Sequence, residues 1–147
     1  MHDGVPLCLD VTLSNDFEDM ARCVAQADSF LAKHDLAPRP LYAVRLTLDE
    51  ILSNIILYAY LDKEPHEIKL RITLSDRDVR LTFEDDGKPF DPVAAPAPDL
   101  SVPMEDRPVG GLGIHMVRDM TKTMRYRRDN HCNVLDVWVE RGATEKE

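Results

Sequence analysis

Three short groups of polar and glycine residues in this chain have the types and spacing needed to bind a phosphorylated ligand. Glu50 and Asn54 stand four positions apart in a helical pattern, Asp85-Asp86-Gly87 ends a strand pattern, and residues 110–113 read Gly-Gly-Leu-Gly. An Asn oxygen is a hard ligand suited to Mg²⁺, and a nearby carboxylate can orient or deprotonate an attacking hydroxyl. Because residues one helical turn apart share a face, we expect Glu50 and Asn54 to act at one place. A solvated polar stripe on an amphipathic helix is the alternative that periodicity leaves open.

The second group contains a carboxylate that is predicted to be buried. Asp85 continues the alternation of Val79, Leu81 and Phe83, so it should point to the covered side of the sheet, where a carboxylate needs a partner. It can accept a hydrogen bond from an exocyclic amine, and Gly87 would let a flat ring approach the backbone. This favours adenine as the ligand, while an ordinary Asp-Gly turn is the alternative that turn chemistry leaves open.

The third group precedes a helical pattern. The backbone amides of Gly110, Gly111, Leu112 and Gly113, together with the helix N-terminus, could face a phosphate. Arg107 lies just upstream and could reach a terminal phosphate, although a surface loop arginine is the more common case. A flexible hinge is the alternative interpretation of the glycines. The order of the three groups along the chain predicts an ATP site.

Hydrophobic periodicity predicts the elements that position these groups. They are a strand over 5–13, helices over 16–34 and 41–60, hairpin strands over 68–74 and 79–83, a helix over 112–123, and strands over 124–128 and 133–140, joined at Asp129-Asn130. Asn15 with Glu18 is typical of a helix N-cap and capping box. Residues 86–109 contain six of the ten prolines and almost no periodicity, which predicts a functional loop.

Composition limits the classes of function. A chain of 147 residues fits one domain, residues 1–147, and 44% hydrophobic with 31% charged residues is a globular balance. The net charge of −9 disfavours nonspecific binding to nucleic acid or anionic lipid. No apolar run approaches the ~20 residues of a membrane helix, and the first residues lack the features of a signal peptide. We expect a cytoplasmic protein whose partner is a protein or a small ligand.

On these motifs the sequence resembles the GHKL (Bergerat-fold) ATPases, which share a histidine kinase-like ATPase domain. Glu50-x-x-x-Asn54 is similar to the N box, Asp85-Asp86-Gly87 to the D-x-G box, and residues 110–113 to the second glycine box. The stretches LTLDEILSNIILYAY, DDGKPFDP and GGLGIHMVRDM look most like the stand-alone anti-sigma factor serine kinases of the RsbW and SpoIIAB type. The resemblance covers about residues 10–139. Relatives often carry His within the stretch that reads Leu-Tyr-Ala-Tyr here, residues 57–60.

The resemblance implies an α+β fold, a two-layer sandwich with helices on one face of a mixed, mainly antiparallel sheet of four to five strands. ATP would lie between the helices and under a lid formed by residues 86–109. Asn54 would coordinate Mg²⁺, Glu50 would be the base for a serine or threonine hydroxyl, and Asp85 would bind the adenine amine. The other residues expected around the nucleotide are Gly87, Gly110, Gly111, Leu112, Gly113 and Arg107.

The implied function is that of an ATP-dependent serine/threonine protein kinase and anti-sigma-type regulator. Its expected substrate is an anti-sigma factor antagonist of the STAS fold, and its expected second partner is a sigma factor. The resemblance also implies that the chain forms a homodimer. Phosphorylation would release the antagonist and free the kinase to hold its other client. A nucleotide-gated binding module without kinase activity is the alternative. A detached histidine-kinase catalytic domain is disfavoured because no dimerisation and phosphoacceptor helix pair accompanies the motifs.

Overall fold

The computed structural model describes residues 7–94, 101, 103 and 111–141. It has two layers, a five-stranded sheet and helices packed on one face, which confirms the expected α+β sandwich. The strands, in the order β1-β2-β3-β5-β4 across the sheet, are β1 (Leu7–Ser14), β2 (Glu67–Leu74), β3 (Asp78–Asp85), β5 (Cys132–Glu140) and β4 (Thr123–Asp129). The α-helices are α1 (Phe17–Ala32), α2 (Pro38–Asn54) and α3 (Gly111–Met120).

All neighbouring strands pair antiparallel, whereas a mixed sheet was expected. The chain leaves β1, runs out along α1 and returns along α2, so β2 starts beside the end of β1, with Ser14 opposite Glu67. The crossover through α3 gives β3 and β4 the same direction. The strands β3 and β4 are not hydrogen-bonded to each other, because β5 lies between them and pairs antiparallel with both.

The alternation of side chains puts the core between the sheet and the helices. The inward residues of β3 are Val79, Leu81, Phe83 and Asp85, and their partners across β5 are Val139, Val137, Leu135 and Asn133. All eight are buried, and Asp85 is only 5% exposed. The predicted register of Asp85 is therefore confirmed.

The ends of two helices differ from the predicted ones. Asp16, not Asn15, caps α1, because its side chain accepts the hydrogen bond from the Asp19 amide. The Asn15 side-chain oxygen instead accepts from the His66 amide at 2.9 Å, which ties the start of α1 to the start of β2. The helix α3 ends at Met120, three residues earlier than predicted, and the Lys122 amide already donates to the Trp138 carbonyl.

The helix α2 begins earlier than predicted and changes its geometry at the end. It starts at Pro38, because proline is tolerated in a first turn, where the backbone N–H has no partner in the helix. After Asn54 the chain continues as a π-helical turn, Ile55–Ala59, where an α-helix was expected. Such turns are rare and occur often at functional sites.

The hairpin between β4 and β5 turns one residue later than predicted. Asn130 and His131 both have positive φ, 52° and 67°, and Asp129 pairs with Cys132. Two such residues between antiparallel strands form the type I′ turn that matches strand twist. The turn therefore lies at Asn130-His131, and this sets the register that places Asn133 opposite Asp85.

Candidate nucleotide-binding site

A cavity of about 120 Å³ lies between the end of α2, the π-helical turn, α3, and the ends of β3 and β5. Most of its wall is apolar, with Ile51, Ile55, Phe83, Ile114 and Leu135 among the lining residues. The polar side chains in the wall are those of Asn54, Tyr58, Asp85, Lys88, Tyr126 and Asn133. A mainly apolar pocket with a few placed polar groups is the usual composition of a small-molecule site.

The Asp85 carboxyl group is the buried acidic side chain in the wall of this cavity. Its Oδ1 accepts hydrogen bonds from the Gly87 amide at 2.9 Å and from Asn133 Nδ2 at 3.0 Å. Burial raises the pKa of Asp85 above its usual range, while these two hydrogen bonds act in the opposite direction. Because both bonds use Oδ1, the second oxygen, Oδ2, is the one that can accept a hydrogen from a ligand.

Asn54 contributes an unsatisfied polar group to the same cavity. Its Nδ2 atom is buried and finds no hydrogen-bond partner within the described residues. Leaving such a group unpaired costs about 1–3 kcal/mol, so a ligand, an ion or a water is needed there. The two ends of the amide exchange by rotation about the side chain, so that Asn54 can equally present Oδ1.

This arrangement fits a magnesium ion that is bound together with a polyphosphate. Mg²⁺ commonly takes one or two protein oxygens and completes its shell with phosphates and waters. Asn54 offers one such oxygen at the cavity wall. Among the residues that the structure describes, no group of three or more His, Cys, Asp or Glu side chains could hold a metal by itself.

Glu50 and Gly113 bring the first and third motifs into contact. Glu50 is half-buried on α2, and a Cβ atom at Gly113 would overlap its carboxylate. Glycine at this position therefore lets the first turn of α3 approach α2. Gly111 and Leu112 are the first two residues of α3, whereas Gly110 and Arg107 lie outside the described residues.

Gly87 has a packing role that the sequence did not reveal. A Cβ atom at this position would lie 2.5 Å from both the Cβ and the carbonyl oxygen of Ala59. The next amide, that of Lys88, donates to the same Ala59 carbonyl at 2.8 Å. The glycine lets the end of β3 lie against the π-helical turn, while its expected contact with a base stays a prediction.

Asn133 is a residue of this site that sequence reasoning missed. It is buried on β5 directly opposite Asp85, and its side chain also accepts a hydrogen bond from the Tyr126 hydroxyl at 2.6 Å. The available signal was a polar residue at the start of a mainly apolar strand. Only the register of β3 against β5 gives this residue its place beside Asp85.

The comparison with protein families agrees with this geometry. Residues 13–138 match the model of the histidine kinase-like ATPase domain. The chain belongs to the histidine kinase-like ATPase family. This membership makes a nucleotide the expected ligand of the cavity, and it confirms the family resemblance of the three motifs.

A curated protein and a solved structure are similar to this chain. The chain is 31% identical to the serine/threonine-protein kinase BtrW of Bordetella bronchiseptica over 94 residues, which are 64% of this chain and 66% of BtrW. The aligned part is thus just under two thirds of that relative. A crystal structure of RsbU and RsbW domains from Mycobacterium tuberculosis superposes with a TM-score of 0.65 at 15% identity, covering 90% of this chain and 32% of that one. The second likeness shows the fold.

The helices in the described part of this chain give no sign of a membrane span. None of them is both long enough and apolar enough to cross a bilayer.

Proposed function

We propose that this chain is an ATP-dependent serine/threonine protein kinase and anti-sigma-type regulator that phosphorylates a STAS-fold antagonist in a partner-switching pathway. The observation that carries the proposal is the cavity whose wall contains both the unpaired Asn54 amide and the buried Asp85 carboxylate. Glu50 lies one turn before Asn54 on α2. The similarity to BtrW, which is named a serine/threonine-protein kinase, supports the same reaction class.

Asp85 selects the base in this proposal. Its Oδ2 accepts a hydrogen bond from the exocyclic amine of adenine, while the apolar wall of the cavity holds the ring. Guanine carries an acceptor oxygen, O6, where adenine carries its amine. An ionised Asp85 would repel that oxygen, so the site favours ATP over GTP.

Asn54 and the start of α3 serve the phosphates. The Asn54 side-chain oxygen would hold Mg²⁺, whose charge neutralises the phosphate oxygens. The backbone amides of residues 110–113 would face the phosphates, and Arg107 would reach the terminal one. Residues 86–109 would form the lid, and residues 86–94, 101 and 103 of this segment belong to the described part.

Glu50 acts on the partner protein. Its carboxylate accepts the proton of a serine or threonine hydroxyl as that oxygen bonds to the γ-phosphorus. The bond between the γ-phosphorus and the bridging oxygen breaks, and ADP leaves with the electron pair. The phosphorylated antagonist then dissociates. The kinase, as a cytoplasmic homodimer, becomes free to hold its second partner, a sigma factor.

The test is intact-mass analysis of STAS-type proteins from the same genome after incubation with this chain and Mg²⁺-ATP. We expect one added phosphoryl group, lost with Glu50→Ala and with Asn54→Ala. The matched control is Asp49→Ala, which removes the exposed neighbouring carboxylate of α2 and should leave the transfer intact.

ATP binding is measured in parallel, because it separates the two ways in which the proposal can fail. A chain that binds ATP but modifies no STAS protein would be a nucleotide-gated binding module. A chain that binds no ATP would overturn the assignment of the cavity itself.

A further inference from the structure

The Asn133 side chain uses all of its hydrogen-bonding capacity inside the candidate site. Its Nδ2 donates to Asp85 Oδ1 at 3.0 Å and to the Lys88 carbonyl at 2.9 Å. Its Oδ1 accepts from the Tyr126 hydroxyl at 2.6 Å and from the Phe90 amide at 3.4 Å. One buried amide therefore joins the base-facing carboxylate to the backbone on both sides of Pro89.

The chemistry of these partners permits only one orientation of the amide. The Lys88 carbonyl can only accept and the Phe90 N–H can only donate, so a flipped Asn133 would oppose like groups at both positions. The hydroxyl of Tyr126, on β4, is a further donor to Oδ1. Asn133 is thus a rigid link and not an adaptable contact.

We propose that Asn133 is a positioning residue that couples recognition of the base by Asp85 to the placement of the segment 88–90. The inference rests on the proposed function, since it assumes that Asp85 Oδ2 receives the adenine amine. By holding Oδ1, Asn133 directs Oδ2 toward the ligand. A base that polarises Asp85 strengthens the hydrogen bonds of Asn133 in turn, because linked hydrogen bonds reinforce one another.

The segment 88–90 is placed to transmit this effect. The Lys88 amide donates to the Ala59 carbonyl at 2.8 Å, so the segment is held by the π-helical turn on one side and by Asn133 on the other. The 3.4 Å bond from the Phe90 amide is the longest of the four, and it is the one that base binding should shorten. Coupling of this kind is reciprocal: what loosens the segment also weakens base binding.

Two substitutions test the link at different strengths. Asn133→Asp keeps the shape but places an oxygen against Asp85 Oδ1 and the Lys88 carbonyl, where the amide donated. Tyr126→Phe keeps the ring and removes one donor to Asn133 Oδ1. The control is Asp136→Asn, since Asp136 is a buried polar residue of the same strand on the opposite face of the sheet.

The experiment measures calorimetric affinities for ATP and GTP, and hydrogen exchange of residues 88–94 with and without ADP. In the parent we expect a preference for ATP and slower exchange at Phe90 when ADP is bound. Asn133→Asp should bind ATP about ten- to hundredfold more weakly, with less preference over GTP and no slowing at Phe90. The ATP affinity and the slowing of exchange in Tyr126→Phe should lie between those of the parent and of Asn133→Asp. Asp136→Asn should lose thermal stability but keep the parent's nucleotide affinities and its slower exchange at Phe90.

Several results would overturn the inference. A folded Asn133→Asp variant that keeps the parent's ATP affinity and base preference would do so while leaving the proposed function intact. If that variant does not fold, the test uses Tyr126→Phe. Hydrogen exchange at Phe90 that responds to ADP in this variant as it does in the parent would count against the coupling. A parent chain that binds no nucleotide removes the proposed function and this inference together.

Discussion

Asp85 and Asp136 are buried carboxylates on neighbouring strands, and they point to opposite faces of the sheet. Asp136, on β5, is 0% exposed and lies 3.1 Å from a guanidinium nitrogen of both Arg80 and Arg125. Burial acts to raise the pKa of Asp136, but the Thr82 hydroxyl at 2.6 Å and the two arginines outweigh it and hold that pKa below its usual range. Asp85 has no ion pair within the described residues, and its pKa is raised.

The difference separates a structural acid from one that is available to a ligand. On the open face, both guanidinium groups that contact Asp136 also lie over the ring of Trp138, 5.1 and 5.5 Å from its centroid. The polar groups there satisfy one another. At the cavity, the Asn54 amide and one oxygen of Asp85 can each form a further hydrogen bond, because other described protein groups do not pair with them. Leaving buried polar groups unpaired in this way lowers the stability of the folded state. Changes at the cavity should therefore alter function, and changes at Asp136 should alter stability.

The largest effect on the functional side is expected from Glu50→Gln. The amide cannot accept the proton of the attacking hydroxyl, so phosphoryl transfer should fall by about 10²- to 10⁴-fold. ATP affinity and melting temperature should stay as in the parent. Single-turnover transfer to the STAS substrate measures the effect, with the exposed Asp49→Asn as control. Undiminished transfer by the Gln variant would remove Glu50 from the mechanism.

The largest effect on the structural side is expected from Asp136→Asn. Loss of the charge weakens the bonds to Arg80 and Arg125, and because these arginines are 40% and 58% exposed we expect about 2 kcal/mol of lost unfolding free energy. Urea denaturation measures it. Asp10→Asn removes one partner of the exposed ion pair with Arg71, and it should lower the unfolding free energy clearly less than Asp136→Asn does. A matching loss of ATP affinity in Asp136→Asn would show that the two faces are not independent.

A smaller effect, the pH dependence of stability, should have opposite signs at the two acids. Because the pKa of Asp85 is raised by folding, the parent loses stability as the pH rises through that pKa, and Asp85→Asn does not. Because the pKa of Asp136 is lowered, its contribution is present above the usual carboxyl range and is lost as the pH falls, so Asp136→Asn approaches the parent in acid. Melting temperatures between about pH 3 and pH 8 test this. If the melting temperatures of Asp85→Asn and Asp136→Asn changed with pH in the same way, the prediction of opposite signs would be contradicted.

What the sequence could predict depended on local rules. Period-two alternation was enough to bury Asp85, because the face of a strand is a local property. The resemblance of the motifs anticipated the proximity of Glu50 and Gly113. Asn133 and Asp136 were missed, since their roles follow from the pairing of β3 with β5, some fifty residues apart in the chain. The π-helical turn after Asn54 was also missed, because its apolar pattern fits an α-helix equally well.

The central claim is that Asp85 Oδ2 is kept for the base, and Asp85→Asn tests it most directly. An Asn Oδ1 can still accept from the Gly87 amide and from Asn133, so the folded state should be at least as stable as the parent. The cavity-facing atom becomes an N–H donor that opposes the adenine amine. Calorimetry should show ATP affinity lower by about a hundredfold, with an unchanged or higher melting temperature. A folded Asp85→Asn variant that binds ATP as tightly as the parent would contradict the account.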